Sequence, residues 1–204
     1  MIDERLLNGL VAFHDRCHEQ RDWARSGAAV HPDGLWQYVE LNHRYNCLLW
    51  DEEDLARRRQ VADSEIAANK RAIDGHNQKR NDAIEKMDES LVESLAAITR
   101  RPGARLSSET AGSIVDRLSI LSLKIHHMRL QTLRTDVEKI HIDTCSARLA
   151  RFTDQRRDLA GCLDRLLAES ARGDAWFKIY RQFKMYNDPD LNPAVYGEKR
   201  PITD

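Results

Sequence analysis

Apolar residues along this chain recur three or four positions apart, the spacing of a helix face, and alternating runs rich in Val, Ile and Thr are absent. Leu6, Leu10 and Phe13 mark the inner face of a first helix predicted over residues 2–25. A second is expected over 34–59. Asp63 or Ser64 can cap a third that runs to about residue 99, with Glu65 at the positive end of its dipole. Pro102-Gly103 breaks the chain over 100–105, and Ser107 or Ser108 caps a fourth helix. Thr135 and Glu138 have capping-box spacing and would open a fifth, although without Gly or Pro there the two can equally be one long bent helix. Gly173 suits a C-terminal cap, and a short helix is expected over 174–184. Helices this long need neighbours to bury their stripes, and short connections make those neighbours antiparallel. The expected fold is all-α: an antiparallel bundle of about five long helices. Residues 1–184 would form this single domain. Residues 185–204, broken by Pro189, Pro193, Gly197 and Pro201, would form an ordered, irregular tail docked on it.

Composition narrows the function classes. Of 204 residues, 41% are hydrophobic and 32% charged, enough for one sizeable core. Lys and Arg number 32 against 33 Asp and Glu, so no basic field favours nucleic acid. No apolar run approaches the roughly 18 residues that span a bilayer. Asp3 and Glu4 do not suit a signal peptide, so a cytoplasmic protein is expected. Cys17, Cys47, Cys145 and Cys162 are scattered without a CxxC pair, which argues for reduced buried thiols and against a disulfide frame or zinc ribbon. Exposed bundle faces leave a homodimer open.

The third helix departs from the usual binary pattern. Ile66, Ile73, Ile84, Met87 and Leu91 recur at heptad-like spacing, and the same register puts Lys70, Asn77 and Arg80 between them. Asp74, Asn81, Glu85 and Asp88 follow along one flank. The second helix carries a matching row of His43, Asn46, Trp50, Glu53 or Asp54, and Arg57, beside a core face of Tyr38, Leu41, Tyr45, Leu48 and Leu55. Burying such groups costs several kcal/mol in order of magnitude unless each is paired. Either the two rows pair to set helix register, or they line a pocket. In a pocket, Glu53, Asp54, Glu85 and Asp88 would bind magnesium (Mg2+) through oxygen. Trp50, Arg57, Lys70, Asp74, Asn77, Arg80, Asn81 and Arg181 would meet a phosphorylated ligand, the cations taking phosphate. All-helical nucleotide pyrophosphohydrolases offer one similarity: Glu85-Lys-Met-Asp88 resembles their second metal motif. The first has only Asp51-Glu-Glu-Asp54 here, with Asp at both ends.

Other clusters read as ordinary core. His141 and Cys145 lie one turn apart on a fifth-helix stripe that continues through Leu149, Phe152, Arg156, Leu159, Leu163 and Leu166. His14, Cys17 and His18 cluster on the first helix, with no further Cys or His at motif spacing to complete a zinc site. Of adjacent His126 and His127, at most one joins the core. No nucleophile elbow and no phosphate loop occurs. Tyr180-Arg-Gln-Phe-Lys-Met-Tyr-Asn-Asp-Pro carries too many aromatics for a disordered tail and is expected to latch onto the bundle.

Several stretches resemble an uncharacterised bacterial group, domain-of-unknown-function family 4254. They are Asn46-Cys-Leu-Leu-Trp50 with Glu53-Asp54-Leu-Ala-Arg57, Asn69-Lys-Arg-Ala-Ile-Asp74 with Asn77-Gln-Lys-Arg-Asn-Asp82, His141-x-x-x-Cys145, Gln155-Arg-Arg-Asp-Leu159, and the tail motif ending at Pro189. The resemblance spans about residues 41–193. It implies an all-helical bacterial protein, often encoded near glycosyltransferases of cell-surface polysaccharide synthesis, and it brings no catalytic residue. Two readings follow. One is a metal-dependent enzyme or binding protein for a phosphorylated or nucleotide-sugar ligand. The other is a non-catalytic helical adaptor whose polar network only sets register.

Overall fold

A computed structural model of the chain describes residues 4–181 and 191, with side chains from residue 9 onward. The secondary structure is mostly helical. In chain order it comprises α1 (Glu4–Glu19), α2 (Trp23–Ser26), α3 (Gly34–Ala56), α4 (Asp63–Ser94), β1 (Arg105–Ser107), α5 (Ala111–Thr132), α6 (Lys139–Ala171) and β2 (Ala175–Phe177). Among the described residues no helix is long and apolar enough to cross a membrane.

Four helices are long, where about five were expected, and the first is cut short. Asp22 turns the chain with a φ of 55°, which separates α1 from the one-turn α2. The turn drives Trp23 inward, where the Arg44 guanidinium lies 4.4 Å over its ring. Buried Glu40 accepts from the backbone N–H groups of Val30 and His31 and pairs with Arg44, which pins the loop between α2 and α3. α5 and α6 are separate helices divided by residues 133–138.

The caps also differ from expectation. Thr110, not Ser107 or Ser108, caps α5 by accepting from the Ser113 N–H. Glu138 stands at the α6 N-cap without a side-chain cap bond, and Ala62 precedes α4. A cap is chosen by where packing lets the helix begin, and several polar residues were available at each start.

Where a short helix was expected over 174–184, the described residues 174–181 instead contain β2, which pairs in parallel with β1, Arg105 opposite Ala175. Arg105 N–H donates to the Asp174 carbonyl at 2.9 Å and Arg101 N–H to the Gly173 carbonyl at 3.0 Å. Three-residue strands are too short to show an alternating pattern, and only tertiary approach creates this pairing. Gly173 makes the approach feasible: its φ is 78°, and a Cβ there would run into the Thr99 carbonyl. Gly173→Ala is therefore expected to cost about 1–3 kcal/mol, read as a lower urea midpoint at unchanged slope. A midpoint equal to wild type would show that the strand pair yields freely.

α3 and α4 run in opposite directions, since Glu52 meets Asn69 near the connection and Tyr45 meets His76 farther along. α5 and α6 do the same, with Lys124 against Phe152 and Ser122 against Arg156. The shared core takes Leu10 and Phe13 from α1, Val39 from α3, Met87 and Leu91 from α4, Leu118 from α5, Leu163 and Leu167 from α6, and Phe177 from β2. α4 and α5 cross closely at Gly112, where a Cβ would lie 2.8 Å from the Ile84 carbonyl oxygen.

α3 faces inward with a different set than its pattern suggested. Tyr38, Leu41, Tyr45, Leu48 and Leu55 are only half-buried, whereas Glu40, Asn42, His43, Asn46 and Glu52 are buried beside Val39 and Leu49. Of the tail motif only Tyr180 and Arg181 fall within the described residues, and the rest of the expected latch lies outside them.

Candidate functional site

Where α3, α4 and α5 meet, they enclose a cleft of about 290 Å³. α3 contributes Asn46, Leu49, Trp50, Glu53, Asp54 and Arg57 at successive turns, α4 contributes Asn77 and Arg80, and α5 closes the back with Ile120 and Leu123. Of the two polar rows expected to face each other, Asn46, Trp50, Glu53, Asp54 and Arg57 meet only Asn77 and Arg80 here. Trp50 lies flat on His127 of α5, ring centroids 4.4 Å apart at 8°, which fixes the indole in the wall. At the mouth Arg57 bridges Glu53 at 3.0 Å and Asp54 at 3.1 Å. Two buried donors in this lining, Trp50 Nε1–H and Arg80 Nε–H, have no hydrogen-bond partner. A larger groove of about 570 Å³ lies between α5 and α6, but its lining, which includes Arg117, Lys124 and Asp158, holds none of the described buried polar atoms that lack a partner.

Beneath the cleft runs a closed polar network that links α3 to α5. Asp116 Oδ1 accepts from Asn42 Nδ2 and Asn46 Nδ2, each at 2.8 Å, and lies 3.9 Å from Arg80 Nε. Asn46 also donates to Ser119 Oγ at 3.0 Å, and Ser119 Oγ bonds His43 Nδ1 at 2.8 Å. Asp116 is the hub: one carboxylate fixes two amides and steadies a guanidinium.

The remaining predicted residues lie elsewhere. Lys70 and Asp74 are exposed and pair with each other one turn apart. Asn81 is buried and accepts from Arg80. Glu85 pairs with Arg181, which also holds Glu89 at 2.8 Å. Asp88 accepts from the Gly112 N–H at 2.7 Å, and burial pushes its carboxyl up to about 6 against the lowering effect of hydrogen bonds from Thr110 and Gly112. The four carboxylates Glu53, Asp54, Glu85 and Asp88 thus do not converge: two serve Arg57, one Arg181, and one the start of α5.

Two groups were not legible beforehand. Asp116, Ser119 and Ser122 recur at three-residue steps among the apolar residues of α5, a signal present in the sequence but easily taken for surface. The histidines are the second. His14 and His18 of α1, His43 of α3, and His126 and His127 of α5 form one continuous run of ring contacts that ends on Trp50. Burial holds His14 down to about 3 and His18 to about 4, and pushes His43 well below its ordinary value. Cys47 Sγ lies 3.9 Å from His43 Nε2. Cys17 and Cys145 are buried as expected, Cys47 is half-buried and Cys162 is exposed.

Comparison with known proteins adds a single relation. A family model described as "Protein of unknown function (DUF4254)" matches residues 36–179, which takes in every cleft residue and leaves α1 outside. No curated protein and no solved structure matches the chain.

Proposed function

Since the chain belongs to the DUF4254 family, whose description names no reaction, we propose from its own geometry that it binds a phosphorylated small molecule in the α3–α4–α5 cleft. The reading rests on one observation. The buried polar atoms of cleft residues that make no hydrogen bond, Trp50 Nε1 and Arg80 Nε, are both donors, the second in an ion pair with Asp116 at 3.9 Å. An unmet buried donor such as Trp50 Nε1 costs about 1–3 kcal/mol, so the cleft gains most from a ligand rich in acceptor oxygens. Phosphate is such a ligand, and Arg57 and Arg80 supply the charge that favours it. Asn46 and Asn77 offer amides for hydroxyls, and the Trp50 indole a flat surface, which suits a sugar or nucleotide portion. Glu53 and Asp54 bring negative charge to the same mouth. A magnesium ion would therefore enter bound to one or both of them and to ligand phosphate oxygens, the usual arrangement for that ion. A role in cell-surface polysaccharide metabolism is the setting in which a nucleotide sugar would be met.

Thermal shift tests this directly, with inorganic phosphate, a nucleoside diphosphate and a nucleoside diphosphate sugar as probes, each with and without magnesium. A ligand at a hundred times its Kd stabilises by about 2.7 kcal/mol, which for a domain this size raises Tm by roughly 5–10 °C. Arg80→Gln is expected to abolish the shift, and Trp50→Phe, which keeps the ring and loses the N–H, to weaken binding about tenfold. A Tm unmoved by all the probes would sink the proposal and leave the adaptor reading. That second reading is favoured by the closure of the Asn42–Asp116–Asn46–Ser119–His43 network, the kind of buried polar set that specifies helix register.

A further inference from the structure

Below the cleft, three helices bring imidazoles and a thiol around one buried point. His18 comes from α1, and His43 and Cys47 come from successive turns of α3. One ligand atom from each lies within 4.8 Å of the other two. His14 stacks on His43 at 4.3 Å, and His126 of α5 stacks on His18 at 4.7 Å, so the point is walled by rings. In a tetrahedral zinc site, with metal–sulfur and metal–nitrogen bonds of about 2.3 and 2.0–2.1 Å, ligand sulfur and nitrogen stand roughly 3.6 Å apart. The observed 3.9 Å between Cys47 Sγ and His43 Nε2 is already close to that.

Hydrogen bonding supplies a second, independent sign. Both nitrogens of His14 and Nε2 of His18 are buried without a protein partner, and His14 is completely enclosed. His43 is oriented as a ligand would be: its Nδ1 sits on Ser119 Oγ at 2.8 Å, which leaves Nε2 for the side of Cys47.

We propose that His18, His43 and Cys47 form a binding site for a borderline transition-metal cation, zinc(II) foremost, with the fourth position left to solvent or a small ligand beside His14. Two imidazoles and a thiolate select such a cation over magnesium, which takes oxygen ligands. Binding converts the Cys47 thiol to a metal-bound thiolate and releases its one proton to solvent. The site uses no cleft side chain, so it stands whether or not the cleft binds a phosphate.

Cobalt(II) titration of the chelator-treated full chain tests it, because cobalt substitutes for zinc and reports its ligands optically. One equivalent should raise a thiolate-to-cobalt charge-transfer band with tetrahedral d–d bands, and zinc should erase both. In Cys47→Ser the charge-transfer band should vanish, and zinc affinity should fall on the order of 100-fold in both Cys47→Ser and His18→Gln. Cys145→Ser should leave the band intact, although its Sγ lies 3.4 Å from His141 Nε2. No band in folded wild type would overturn the proposal and point to a buried water on His14 and His18. A band that followed Cys145 would overturn it equally. Should Cys47→Ser fail to fold, the wild-type titration and His18→Gln decide.

Discussion

Taking the chelator-treated protein from pH 7 to pH 4 is expected to unfold it, and the buried histidines are the cause. Burial is the largest influence on His14, His18 and His43, followed by neighbouring imidazoles and, for His14 and His18, the Arg156 guanidinium. His126 and His127 are lowered too, again chiefly by burial. In an unfolded chain all of them titrate near 6.5. Below that pH the unfolded state takes up protons that the folded state refuses. Their contribution is thus complete above 6.5 and drains as pH falls toward the folded values of about 3 for His14 and about 4 for His18. At about 1.4 kcal/mol per unit per group, His14 alone loses about 3 kcal/mol by pH 4 and His18, discounted for its partial exposure, adds to it, a large share of the 5–15 kcal/mol that holds a typical domain together. Asp88 works the other way. Its carboxyl is raised to about 6, so its contribution is full below 3.8 and is lost as pH rises through 6. One carboxyl does not offset a run of imidazoles. Urea midpoints at pH 7, 6, 5 and 4 check the sign, and His14→Leu should flatten the profile. A midpoint constant across this range would mean that water already reaches the rings.

The second large effect is expected at Asp116. Asp116→Ala strands the amides of Asn42 and Asn46 and removes the carboxylate from Arg80, all at a site where Asp116 itself is 9% exposed. Removing one member of a buried charged set costs about 3–5 kcal/mol, which should appear as a large drop in denaturation midpoint. Asp116→Asn keeps an acceptor oxygen and should cost less. Because Arg80 loses its orientation in the cleft wall, phosphate-ligand binding should weaken along with stability. A loss below about 1 kcal/mol would show that solvent replaces the carboxylate and that the network is wetter than its geometry implies.

The two rows named from sequence had unequal outcomes for a physical reason. Trp50, Glu53, Asp54 and Arg57 sit on the half of α3 that α4 and α5 both approach, so a row chosen by spacing also lined a cavity. Lys70 satisfies the same heptad arithmetic and Asp74 lies on the flank beside it, yet both remain in solvent paired with each other. Glu85 and Asp88 share the flank of Asp74 but answer to Arg181 and to the α5 N-terminus. Spacing on one helix says which residues share a face. It cannot say what stands opposite.

The histidines make the same point more sharply. His14 and His18 were visible as a pair on one helix without further ligands at motif spacing, and the rest of their environment comes from α3 and α5. By itself, the sequence determined what local energetics control: helical character, the breaks at Pro102-Gly103 and Gly173, the inward Leu10 and Phe13, and the family to which residues 36–179 belong. Only tertiary structure decided which polar faces were buried together, where β1 met β2, and that a thiol and several imidazoles come together at one point. Helix periodicity is a property of a few neighbouring residues, whereas the cost of burying a polar group depends on partners that lie far along the chain.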